Sequence, residues 1–166
     1  MLTTLSRLRA KRAQLTEDDG FTLIELLVVV VILGVLIAIA IPVYLNYRKG
    51  ANDAAAKSDL RNTITVLEQC NTENAIYPTG SFTLTASGAA GTCTTQNINL
   101  SSGTSLTYTP IAASAGPPIV AAATSYTIVD TNSSGAAKFY CYNSAKGGSV
   151  TTITATTLAL AVTAGC

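Results

Sequence analysis

The chain has 166 residues, a formal net charge of +1, 48% hydrophobic and 11% charged residues, and neither histidine nor tryptophan. That length allows one modest domain with an appendage, and the lack of histidine removes the commonest general base and metal ligand, closing most routes to a catalytic or metal centre. From Phe21 onward Arg48, Lys49, Lys57, Arg61, Lys138 and Lys146 balance Glu25, Asp53, Asp59, Glu68, Glu73 and Asp130, which leaves no basic face to hold nucleic acid by bulk electrostatics.

In chain order, residues 1–20 are a leader carrying Arg7, Arg9, Lys11 and Arg12. An apolar run follows. Its uncharged core, Leu26 to Val43, spans about 27 Å as a helix, close to the roughly 30 Å hydrocarbon thickness of a bilayer. The basic leader predicts that residues 1–20 stay in the cytoplasm and that the carboxy-terminal part is exported. Three readings compete for this segment: an uncleaved signal anchor, a secretory signal peptide cut near Ala38-Ile39-Ala40, or cleavage between Gly20 and Phe21 that leaves the helix on the mature protein. The length of the run, the charge of Glu25 inside it and Pro42 just past the second cut count against the secretory reading.

Gly20 followed by Phe21-Thr22-Leu23-Ile24-Glu25-Leu26-Leu27, with Gly34 and Pro42 further along, resembles the cleavage and N-methylation motif of type IV prepilins and the related pseudopilins. The resemblance covers about thirty contiguous residues by that family's pattern. It implies that a membrane aspartyl prepilin peptidase cuts after Gly20 and methylates the new amino group of Phe21. The leader is longer than that of the classical Gram-negative subclass beginning with Phe, and is similar to leaders of Gram-positive prepilins. A carboxylate inside hydrocarbon costs about 2.5 to 3.5 kcal/mol and asks for a partner. The bland account is that Glu25 reaches back to the headgroups; the resemblance implies instead that it pairs with the Phe21 amine of a neighbouring subunit and sets the filament register. Gly34 and Pro42 are poor helix-interior residues, at about 1 and 3 kcal/mol relative to alanine, and Pro42 predicts a kink near Ala38. Membrane helices tolerate both residues; the resemblance implies that the stretch between them loses helical order in a filament.

Beyond the apolar segment, residues 21–45, a period near 3.6 with Tyr47, Ala51, Ala54, Leu60, Ile64 and Leu67 predicts that the helix continues amphipathically over residues 46–73, with Gly50 its weak point. Leu60 to Leu67 should pack on a core, while Arg48, Lys49, Asp53, Lys57 and Asp59 form a face open to solvent or other subunits. Residues 74–166 read as a head. Residues 79–105 are low in apolar side chains and read as a long exposed loop, followed by strands at Ser105–Thr109, Ser125–Val129, Ala137–Tyr142 and Ser149–Ala155, with a further strand to Val162 and a hairpin turn at Asp130–Gly135. The fold class is therefore α+β: a long amino-terminal helix packed on a four-stranded antiparallel sheet, which is also the fold that the pilin resemblance implies. The strand tyrosines Tyr108, Tyr126, Tyr140 and Tyr142 suit a core or cross-strand pairs better than a binding site.

Cys70, Cys93, Cys141 and Cys166 lack a C-x-x-C pair, so disulfides are favoured over zinc. Cys70/Cys93 would pin the loop to the helix end and Cys141/Cys166 would tie the terminus to the sheet; Cys70/Cys166 with Cys93/Cys141 stays open. No catalytic residue, cofactor or metal is expected. The resemblance implies a structural, non-enzymatic subunit of a type IV pilus filament. Its partners would be further copies of itself, the prepilin peptidase and methyltransferase, an assembly platform with its ATPase, the cytoplasmic membrane before assembly, and DNA or a surface receptor. Its place would be the cytoplasmic membrane as a prepilin and then the extracellular pilus, serving adhesion, twitching motility or DNA uptake. The alternative is a pseudopilin of a type II secretion system or competence apparatus; an enzyme on an ordinary anchor is a third class.

Overall fold

A computed structural model describes residues 21–112, 123–153 and 166; the leader with Gly20 and the expected strand to Val162 lie outside the described residues. The first element is a single helix, α1 (Leu23–Asn74), assigned without interruption through Gly34, Pro42 and Gly50. The chain divides into two compact units between Val43 and Tyr44, each taken by itself.

In the first unit every helical residue from Leu23 to Val43 is exposed. An apolar surface this continuous is unstable in water and has to be covered by lipid or by other helices. Among the described residues α1 is the helix long and apolar enough to cross a membrane.

In the second unit α1 packs on a sheet. The remaining elements are β1 (Phe82–Leu84), β2 (Gly88–Ala90), β3 (Cys93–Ile98), β4 (Thr104–Ala112), β5 (Ala123–Asn132), β6 (Phe139–Asn143), a 3-10 turn at Ser144–Lys146 and β7 (Thr151–Ile153). Five strands form an antiparallel sheet in the order β1-β4-β5-β6-β7, and β2 pairs with β3 in a separate hairpin. The central β5 is built from Thr, Tyr, Ile and Val, which fit a pleated surface buried on both sides. Tyr126 and Ile128 meet Leu60, Leu67 and Cys70 of the helix in the main core; Val129, Cys141 and Phe139 form a second cluster with Ile153 and Cys166. The helix ends at Asn74, where Ala75 takes the left-handed conformation (φ 58°) that glycine usually supplies and its N–H reaches the Asn71 carbonyl at 2.8 Å.

Three expectations about the head need correction. The stretch read as a long loop contains β1, β2 and β3, held by pairing to β4, by the hairpin and by a cystine rather than by an apolar run. The main sheet has five strands because β1 adds to the β4 edge. The third concerns charge: Asp53 and Asp59 are buried, at 4% and 5% exposure, on a seam continued by Ala56, Leu60, Thr63, Leu67 and Cys70. Tyr47, Ala51 and Ala54, expected on the apolar stripe, are exposed. Steps of three and four residues place Asp53 on the same face as Leu60 and Leu67, and that geometry outweighed polarity because each aspartate finds partners inside.

Candidate functional site

The start of α1 is organised by two side chains. The Thr22 N–H and hydroxyl each donate to one Glu25 carboxylate oxygen at 2.9 Å, and the Glu25 N–H donates to the Thr22 hydroxyl oxygen at 3.3 Å. This is a capping box: Thr22 satisfies an amide of the first turn while the acid three residues on reaches back to the cap. Glu25 is thus occupied within its own chain, and Phe21, 89% exposed, stands outside the box. Gly34 and Pro42 lie inside the helix, and a Cβ at Gly34 would touch nothing within 4 Å. Gly20, on the other side of the expected scissile bond, lies outside the described residues.

In the head, four acids of α1 fasten the sheet and its loops. Asp53 accepts the Ala136 N–H at 3.0 Å and faces Lys138 Nζ at 3.5 Å, the one ion pair among the described residues. Asp59 accepts the Ser101 N–H at 2.7 Å and its hydroxyl at 3.1 Å. Glu68 accepts the hydroxyls of Tyr77 at 2.9 Å and Tyr126 at 2.8 Å. Glu73 accepts both hydrogen bonds of the Gln96 amide, at 3.0 and 2.9 Å. Burial, reinforced by the Glu68 carboxylate, pushes the Tyr77 hydroxyl up to about 12 and that of Tyr126 higher still, so both remain donors at neutral pH.

One acid has no such partner. Asp130 of β5 is fully buried, and among the described residues neither carboxylate oxygen finds a hydrogen-bond donor. Burial first, then the nearby Asp59 charge, push its carboxyl up to about 8; the Thr131 amide, too poorly placed for a hydrogen bond, pulls the other way without offsetting them. An unpaired carboxylate there would be costly, so the group is held as the neutral acid.

Cys70 bonds to Cys93 with the Cα atoms 6.0 Å apart, and Cys141 to Cys166 with 5.7 Å. The Lys146 ammonium donates to the Cys166 carbonyl. Tyr108, Tyr126 and Tyr140 are core residues, with Tyr108 and Tyr126 ring centroids 5.7 Å apart.

A family model for the prokaryotic N-terminal methylation motif matches residues 18–41, the segment holding Gly20, Phe21, Glu25 and Gly34. The type IV wide pilus major component PilA4 of Thermus thermophilus is 33% identical over 105 residues, covering 63% of this chain and 80% of that protein. The chain belongs to the type IV pilin family. The type IV major fimbrial protein FimA of Dichelobacter nodosus is 38% identical to this pilin over 110 residues, covering 63% of the chain and 70% of FimA. The type II secretion system core protein G of Pseudomonas aeruginosa is 38% identical over a shorter stretch of 65 residues, 39% of this chain and 46% of that protein. A long amino-terminal helix and an antiparallel sheet head are the pilin fold.

Proposed function

We propose that this pilin is the structural, non-catalytic subunit of a type IV pilus, anchored in the cytoplasmic membrane as a precursor, released by cleavage between Gly20 and Phe21, methylated on the Phe21 amine, and polymerised through α1. The observation that carries the reading is the first unit of α1: an apolar helical surface, exposed all round from Leu23 to Val43, that opens on a single acid. Such a surface is satisfied by lipid before assembly and by like helices afterwards, at about 25 cal/mol per Å² covered.

In the filament Glu25 leaves its bond to Thr22 for the methylated amine of a neighbour. Two opposite charges in an apolar core are tolerated only when paired, and an unpaired one costs several kcal/mol, so the pair selects one axial stagger. Glu25→Ala is expected to leave cleavage and membrane insertion intact while filaments fail; normal filaments from that variant overturn the register role. The likeness to core protein G supports a second reading, a secretion pseudopilin, but it spans a shorter part of the chain than the likeness to PilA4 and FimA. Long sheared surface filaments containing this chain favour the pilus, and a short envelope-bound assembly favours the pseudopilin. Prepilin peptidase, an assembly platform and its ATPase are the partners this route requires, and adhesion, twitching motility or DNA uptake its outlets.

A further inference from the structure

The second unit holds a cationic recess that the assembly route does not use. Leu45, Arg48, Lys49 and Ser134 line an open cavity of 190 Å³. Its rim is fixed by the helix: the Asn52 amide donates to the Ser134 carbonyl at 3.0 Å, and the Ser134 N–H donates to the Asn132 side-chain oxygen at 2.9 Å. Arg48 and Lys49 are exposed, and among the described residues neither forms an ion pair. The nearest acid along the helix, Asp53, is turned inward to Ala136 and Lys138. The balance of charge along the sequence therefore hides a local excess of positive charge.

The place of this recess along α1 identifies its occupant. Arg48 follows Val43, the end of the uncharged apolar run, by about 7 Å of helix, and the headgroup layer extends roughly 5 to 7 Å beyond the hydrocarbon. Tyr44 and Tyr47, 65% and 77% exposed, stand in the same short stretch, where aromatic side chains favour the membrane interface. Two cations, a serine and an apolar wall at that depth match a phosphodiester headgroup with the start of its acyl chain. We infer that Arg48 and Lys49, with Ser134, form a binding site for the headgroup of an anionic phospholipid in the outer leaflet, which holds the second unit at the bilayer before assembly. The inference rests on the membrane stage of the proposed function.

The test uses the full mature chain in bilayers of phosphatidylcholine with a minor share of phosphatidylglycerol, reading the enrichment of phosphatidylglycerol around the protein. Each cation near an anionic surface contributes about a fivefold preference, so Arg48→Gln and Lys49→Gln should each lower the enrichment about fivefold and together bring it close to unity. Lys57→Gln with Arg61→Gln, which lie outside the recess, should leave it unchanged. Enrichment that survives the double substitution in the recess, or that falls equally with the control pair, overturns the site. So does its abolition by inorganic phosphate at constant ionic strength, which would assign the recess to free phosphate. A wild-type chain without enrichment, whose recess variant nevertheless loses filaments, overturns it in favour of an acidic group on a second copy. Resistance of each variant to alkaline extraction reports membrane insertion separately, so failure of the membrane stage is told apart from failure of the headgroup site.

Discussion

Replacing Asp130 with asparagine tests the buried acid of the head. Its carboxyl is raised from an ordinary value of 3.8 to about 8, chiefly by burial and then by Asp59. A folded-state value above the unfolded one means that the native head binds this proton more tightly, so the stabilisation is complete below about pH 4, is lost progressively up to about pH 8, and changes no further above it. At about 1.4 kcal/mol for each tenfold change in proton affinity, that difference sets a ceiling near 6 kcal/mol, which water entry on ionisation lowers, and a fall of about 2 kcal/mol or more between pH 5 and 8.5 is expected. The assay is urea unfolding of the mature chain in detergent, followed by the near-ultraviolet dichroism of the buried tyrosines across that range. Asp130→Asn should lie within about 1 kcal/mol of the wild type at pH 5, because an unpaired amide replaces an unpaired neutral acid of the same shape, yet show little slope with pH and exceed the wild type at pH 8.5. The alkaline fall belongs to other groups, and the reasoning fails, if the variant keeps the wild-type slope.

Tyr126→Phe removes one of the two hydroxyls bound by Glu68 and should cost about 1.5 to 3 kcal/mol in the same unfolding assay. Gly135→Ala places a Cβ against the Asp53 carboxylate and 3.2 Å from the Asn132 carbonyl; the turn or the acid must shift, with a loss of about 1 to 3 kcal/mol and a weaker Asp53–Lys138 pair. Thr22→Ala deletes the cap that engages Glu25 and should cost about 1 kcal/mol of first-turn stability, seen as faster amide exchange at Glu25 and Leu26 with the head unchanged.

Much of the molecule was legible because its signals are local. Phe21 to Leu27, Gly34 and Pro42 carry a local pattern, so the apolar helix could be placed from residue type alone; the turn expected at Asp130–Gly135 begins later, at Ser133, because Asp130 and Thr131 pair with Tyr140 and Phe139 as the end of β5. Thr22 was missed as a partner of Glu25, although Thr-x-x-Glu before an apolar run is itself a capping signature. The destinations of Asp53, Asp59 and Asp130 were less accessible. Charge summed along a chain says how many acids there are and nothing about which way they face; the answer for Asp53 and Asp59 depended on Ala136 and Ser101, both distant in sequence, and for Asp130 on burial without a donor among the described residues. β1 to β3 escaped notice for a similar reason: pairing with Leu106–Tyr108, a cystine and the Glu73–Gln96 bonds hold them, and none of these is a periodicity.

The central claim is that α1, released after Gly20, becomes the core of a filament. Mass spectrometry of sheared surface filaments tests it most directly. The account predicts filaments whose subunits begin at a methylated Phe21, and subunits that retain the leader, or that begin at Ile41, would contradict it.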